Sequence, residues 1–276
     1  MSEAKRSLIS EDSSGSAFAP VADRKAPPLL YLQRQGRPDL AYRRLEGAEP
    51  GIVFLGGFRS TMDGTKALLA ECIARERGRA FLRFDYSGHS ASGGHFEDGT
   101  VGAWKQDALD ILDHVTHGPQ ILVGSSLGGW LALLVALERP QSIHSLILVS
   151  CAADFTEHIY WRLLDEDQRQ LMDREGAFAF PNCQGGEPFV ITAKLIEEGR
   201  RHLILPREHL PIDVPVTLLV GKQDQDVPWQ TSDAIAERLP KGRASVITSE
   251  TARHQFDRPE DLLLLRQAIE ESLESS

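Results

Sequence analysis

One stretch restricts this chain to few architectures. Gln120-Ile121-Leu122-Val123 runs into Gly124-Ser125-Ser126-Leu127-Gly128, and an apolar run then continues through Leu137. The first four residues are short and apolar and follow Gly118-Pro119, which reads as a buried parallel strand. Residues 127–137 read as a helix, near-continuously apolar and therefore central in the fold. A turn from strand into helix this sharp needs small residues on both sides, because the backbones approach too closely to admit a Cβ. Gly124, Gly128 and Gly129 meet that need, which leaves Ser126 at the tip as a candidate nucleophile. The G-x-S-x-G pattern alone would arise by chance in roughly one chain in ten of this length, so its setting carries the reading.

The same alternation extends along the chain. Residues 31–33 and 40–44 read as a short antiparallel pair; 51–55, 80–85, 145–150 and 216–221 read as buried strands, and 244–248 as a further one. Helices are expected over 64–75, 101–117, 229–239 and 257–273, the last with Pro259 in its first turn. Strands alternating with helices imply an α/β fold with a mostly parallel sheet covered by helices on both faces. Residues 152–210 break the rhythm with two helix-like pieces, around 158–175 and 192–199, and no convincing sheet strand. They read as a helical cap inserted into a core of 28–151 and 211–276, placed to shape a binding site.

Composition removes several functions. With a formal net charge of -10, the surface repels nucleic acid and anionic membranes. No run reaches the roughly 18 apolar residues of a membrane span, so no integral membrane association is expected. Cys72, Cys151 and Cys183 are scattered without metal-ligand spacing, and read as reduced thiols. Residues 1–27 carry Glu3, Glu11 and Asp12 among Ser, Ala and Pro, which reads as a flexible tail and not as an acid-poor transit peptide or an apolar signal peptide. A cytosolic location is the resulting expectation.

A serine hydroxyl is a weak nucleophile near neutral pH and needs a base, itself held in one tautomer by a third group. Serine, acid and histidine are expected in that order, each on a loop after a sheet strand. Asp224 follows the strand 216–221 and His254 follows the strand 244–248, so both occupy the required places. Asp226, two residues on, competes for the acid role, with capping of the helix near Trp229 as its other reading. Acyl transfer also needs two backbone N–H groups aimed at a developing oxyanion. Leu127, next to the serine, is one candidate, and Phe58 in Gly56-Gly57-Phe58-Arg59 is the other. No metal or organic cofactor is required by this chemistry.

Other residues carry blander readings. Asp85 and the glycine of Arg83-Phe84-Asp85-Tyr86-Ser87-Gly88-His89-Ser90 shape a turn, and His89 and His95 lack ligand spacing. Arg59 could meet an anionic substrate group, against the commoner solvated state.

Taken together, these residues resemble the α/β-hydrolases over about 30–273. Gly57-Phe58-Arg59-Ser60-Thr61-Met62-Asp63-Gly64-Thr65-Lys66-Ala67, Arg83 to Gly88, and Gly118 to Trp130 are similar to a group of animal abhydrolase-domain palmitoyl-protein thioesterases that are mitochondrial. That resemblance implies removal of long acyl chains from cysteine thiols and hydrolysis of acyl glucuronide esters, with Ser126, Asp224 and His254 as the triad. The expectation is a serine hydrolase of carboxylic esters or thioesters whose substrate is a small molecule or an acylated protein. Carbon–carbon or lactone hydrolysis with the same triad is the enzymatic alternative, and an inactive binding module on the same fold is the alternative outside enzymes. A serine at the elbow argues against dehalogenase and epoxide hydrolase chemistry, which uses a carboxylate nucleophile.

Overall fold

The computed structural model describes residues 26–181 and 188–275. The tail expected at 1–27 falls almost wholly outside the described residues, as does Cys183. From the N-terminus the elements are β1 (Leu30–Leu32), β2 (Leu40–Leu45), β3 (Ala48–Leu55), α1 (Thr65–Glu76), β4 (Arg79–Phe84), α2 (Val101–Val115), β5 (Gln120–Ser125), α3 (Leu127–Glu138), β6 (Ile143–Val149), α4 (Glu166–Glu175), β7 (Ala177–Phe180), β8 (Phe189–Thr192), α5 (Ala193–Gly199), β9 (Val216–Gly221), α6 (Gln230–Arg238), β10 (Ala244–Ser249) and α7 (Pro259–Glu274).

Eight strands form one sheet in the order β1-β2-β4-β3-β5-β6-β9-β10. The pairs β1/β2 and β2/β4 are antiparallel, and every later pair is parallel. Alternate residues of the central strands feed two separate cores. Ile52, Phe54, Ile121 and Val123 face α1 and α7, while Val53, Leu55 and Leu122 face α2 and α3. Burial on both faces is why these strands read as unbroken apolar runs. α3 is buried from Leu127 through Ala136, as its sequence suggested. β3 starts three residues earlier than expected, because a register shift between Ala48 and Ile52 accommodates Pro50 within the strand.

The segment between β6 and β9 departs from its sequence reading. β7 and β8 pair antiparallel as a separate two-stranded sheet, although no strand was expected there. Four-residue strands give too few alternations for a period-2 signal, but Phe189-Val190-Ile191-Thr192 has the β-branched and aromatic content that could have marked one. The single helix-like piece at 158–175 resolves into a wide π-helical turn, Thr156–Trp161, and α4. Asp165 starts the second: its carboxylate accepts from the Gln168 amide, and the Gln168 side chain accepts from the Asp165 amide. Asp154, fully buried, accepts hydrogen bonds from the Ile204 and Leu205 amides and so ties the start of this segment to its end.

At the β5–α3 junction the chain has no spare room. A Cβ on Gly128 would run into the carbonyl oxygens of Leu55 and Gly56, and one on Gly124 into the Gly128 backbone. Gly128→Ala should therefore cost about 1–3 kcal/mol of stability, as overpacking of a rigid core does. Thermal unfolding followed by circular dichroism should register a Tm loss of roughly 3–10 °C; an unchanged Tm would show that the two backbones can separate.

Candidate active site

Ser126 sits between β5 and α3 with φ 55° and ψ -116°, a conformation that L-residues seldom adopt. Three backbone hydrogen bonds hold it there. Its amide donates to the Val149 carbonyl at 2.9 Å, and its carbonyl accepts from Gly129 at 3.0 Å and Ala152 at 3.1 Å. The strained backbone lifts the side chain out of the sheet and α3 packing, towards the loops at the strand ends.

Those loops supply the partners. His254 Nε2 lies 3.0 Å from Ser126 Oγ, and His254 Nδ1 lies 2.8 Å from Asp224 Oδ2. A carboxylate only accepts, so Nδ1 carries the proton and Nε2 is left as an acceptor for the serine hydroxyl. The second oxygen of Asp224 accepts from the Asp226 and Val227 amides at 2.9 and 2.8 Å, which fixes the carboxylate plane. The Asp224 side chain is only 2% exposed, whereas Asp226 is exposed. Nor does Asp226 cap α6, whose first residues receive no side-chain cap.

Both expected oxyanion donors border the serine. The Leu127 amide opens α3, where first-turn N–H groups have no intrahelical acceptor. Gly57 backs onto Ser126 so closely that a Cβ there would lie 3.4 Å from the serine Cβ, which brings the Phe58 peptide alongside. The Phe58 ring is anchored among Phe96, Trp104, Phe155 and Tyr160 at centroid distances of 5.1–6.2 Å. Ser126, His254, Gly57 and Phe58 line a cavity of about 280 Å³ whose other walls include Ser60, Thr61, Lys66 and Asp257. Burial lowers the Lys66 ammonium pKa, with Asp257 opposing, and its Nζ donates to the Gln255 carbonyl.

Sequence reasoning understated three residues. Asp85 does more than shape its own turn, since it accepts from the Ala91 amide at 3.1 Å and from Met62, in the loop after β3, at 2.7 Å. The Tyr86 hydroxyl donates to the Gly56 carbonyl at 3.3 Å, and His89 accepts from the Arg59 amide. All three act across about 20 to 30 residues of sequence, where no local pattern reports them. Arg59 is exposed, and its guanidinium stands over the Phe189 ring at 5.0 Å.

Among the described residues, Asp224, Asp226 and His254 are the one group whose donor atoms crowd closely enough for a metal ion. Both imidazole nitrogens are already engaged, by Asp224 and Ser126, so an ion there would have to break that chain. No described helix is long and apolar enough to cross a membrane.

Cys151 lies directly behind the elbow, against Gly129. Burial pushes its thiol up to about 12. At pH 8 the thiolate fraction is then about one in ten thousand. In the native protein Cys151 should resist iodoacetamide at pH 8 and become reactive once the chain is unfolded; mass spectrometry showing alkylation of Cys151 in the folded state would contradict this.

A family model for the alpha/beta hydrolase fold matches residues 50–183. The chain is 40% identical over 254 residues to the mouse protein named palmitoyl-protein thioesterase ABHD10, mitochondrial, covering 92% of this chain and 85% of that one. Among solved structures, mouse alpha/beta hydrolase domain-containing protein 10 superposes with a TM-score of 0.84 at 38% identity, over 90% of this chain and 99% of that one. A putative hydrolase from Agrobacterium vitis S4 gives the same TM-score at 34% identity, over 89% and 99%. The cytosolic location expected above is overturned by the mouse, bovine and human palmitoyl-protein thioesterases ABHD10, which are named as mitochondrial. Acidic residues near the N-terminus were a poor guide, because a cellular address is read by transport receptors and imposes nothing on the folded surface.

Proposed function

We infer that this chain, which belongs to the α/β-hydrolase family, is a serine hydrolase that cleaves carboxylic esters or thioesters through an acyl-enzyme. The observation that carries the reading is the continuous hydrogen-bonded chain from Asp224 through His254 to Ser126, on a serine whose φ is 55°. His254 Nε2 takes the Ser126 proton as Oγ attacks the acyl carbon, and Asp224 stabilises the imidazolium that forms. The Leu127 and Phe58 amides receive the oxyanion, each such donor being worth about 100–1000-fold in rate. His254 then protonates the departing thiolate or alkoxide. In the second half it activates water against the acyl-enzyme and returns the proton to Ser126.

The acyl group is an apolar chain in this reading. Support comes from Phe58, which lines the cavity with Ser126, and from Phe155, Tyr160, Phe180 and Phe189, whose rings continue from it in series. Burial pushes the Tyr160 phenol up to about 12, so it stays neutral in this wall. Four of those five rings belong to 152–210, and we assign that segment as a cap on a core of 28–151 and 211–276. Thioester cleavage is supported by the name of the mouse relative, a palmitoyl-protein thioesterase.

A fluorophosphonate probe should label the wild-type protein and leave Ser126→Ala unlabelled; labelling that survives Ser126→Ala would sink the assignment. Asp224→Asn should lower kcat by about 10,000-fold, as loss of the correct histidine tautomer does. Asp226→Asn should stay within a few-fold of wild type, and the reverse pattern would transfer the acid role.

Across matched thioesters of increasing chain length, kcat/KM should rise with the chain, and Phe189→Ala should flatten that rise by about 10-fold at the long end, the loss expected of a truncated apolar wall. A preference for short or bulky esters would remove the case for a long-chain substrate.

A further inference from the structure

His89 lies outside the hydrogen-bonded chain just described, and its surroundings are unusual for a surface-turn histidine. It is 3% exposed and meets Tyr86, Phe96 and Trp104 edge-on, at centroid distances of 5.6, 5.1 and 5.3 Å. Its two nitrogens face opposite kinds of partner. Nδ1 lies 3.2 Å from the Ser87 carbonyl, which can only accept, and Nε2 lies 3.3 Å from the Arg59 amide, which can only donate. The two contacts together demand one species, the neutral ring protonated at Nδ1.

What Nε2 holds is a strained turn. The Ser60 amide bonds back to the Gly57 carbonyl at 3.1 Å, so Gly57-Phe58-Arg59-Ser60 is a four-residue turn with Arg59 in its third position. There φ is 59°, a value at which turns of this kind ordinarily carry glycine. An arginine keeps this conformation only if its surroundings enforce it. The peptide between Phe58 and Arg59 would otherwise be able to rotate towards the turn form in which the third residue has negative φ, re-aiming the loop beside Ser126.

We infer that His89 is a positioning residue for the oxyanion loop: by accepting the Arg59 amide it holds the turn Gly57-Phe58-Arg59-Ser60 in one form, and the turn as a unit carries the Phe58 N–H, on the preceding Gly57–Phe58 peptide, to its place relative to Ser126. The inference rests on Phe58 being an oxyanion donor. His89 is itself positioned from behind. Ser87, whose carbonyl accepts hydrogen bonds from His89 Nδ1 and from Trp104 Nε1, is fixed in turn by Asp107, which accepts from the Ser87 amide at 2.7 Å and hydroxyl at 3.0 Å. Arg34 completes this support by donating to Asp107 at 2.6 Å. Burial lowers the His89 pKa, which keeps Nε2 an acceptor at neutral pH.

Three variants separate positioning from bulk. His89→Phe keeps a ring and removes the acceptor, His89→Gln keeps an acceptor at about the reach of Nε2, and His89→Asn presents one too short for Arg59. Kinetics on one thioester, affinity for a trifluoromethyl ketone that forms a tetrahedral adduct, and affinity for the product acid would be measured on each. We expect His89→Phe and His89→Asn to lose about 10- to 100-fold in kcat and in ketone affinity, the scale of a misplaced catalytic group, with product affinity within about 2-fold. His89→Gln should recover most of the loss. Wild-type behaviour in His89→Phe or His89→Asn would overturn the inference, as would a loss in all three variants that lowers product affinity equally. Failure of the wild-type protein to label with fluorophosphonate would instead condemn the hydrolase reading. The tautomer is testable without turnover: ¹⁵N NMR should find His89 neutral with its proton on Nδ1, and a proton on Nε2 would exclude the Arg59 contact.

Discussion

The close approach of two backbones, α3 at Gly128 and the end of β3 at Leu55 and Gly56, is the constraint on which the site depends. It admits no side chain at Gly128 or at Gly124, and so compels the chain to reverse from β5 into α3 within one residue. That residue is Ser126, forced to positive φ and raised above the sheet. The same contact delivers the loop after β3 to the serine, since Gly57 lies against it. The position of Ser126 and that of the Gly57-Phe58 loop are thus two results of one packing event, and neither could move without the other.

Around that contact the protein relies on short polar staples where the backbone is irregular. Loops buried near a site cannot satisfy their N–H groups from a neighbouring strand, so side chains must do it. Asp85 accepts from the Met62 amide, the Tyr86 hydroxyl donates a hydrogen bond to the Gly56 carbonyl, and His89 accepts from the Arg59 amide. All three come from the loop after β4 and grip the loop after β3. On the far side of the sheet's centre, Asp224 takes the Asp226 and Val227 amides while its other oxygen orients His254. A carboxylate that is both staple and orienting group has little freedom to rotate away. Above the loops the support changes to aromatic contact, with Phe58 in ring contact with Phe155 and Tyr160 from the segment after β6.

Much of this was legible in the sequence, for reasons that differ between elements. The buried parallel strands gave apolar runs because both faces are covered, and the elbow gave glycines because nothing else fits. Asp224 and His254 were legible as candidates through order and place alone, each following a strand. The hairpin β7–β8 was not, since four-residue strands carry too little periodicity, and the split of 158–175 hung on a single capping box at Asp165.

The sequence by itself determined the layered α/β architecture, the serine elbow and the pool of residues that could act with it. Local backbone preferences and burial periodicity are properties of neighbours along the chain, and they survive in one dimension. Only the tertiary structure decided between Asp224 and Asp226 as the partner of His254, brought His254 to a serine 128 positions away, and set His89 against the Arg59 amide in the loop after β3. Those are contacts of a few ångströms between side chains on separate loops. Their geometry is fixed by the packing of the whole sheet and its helices, which no segment of sequence contains.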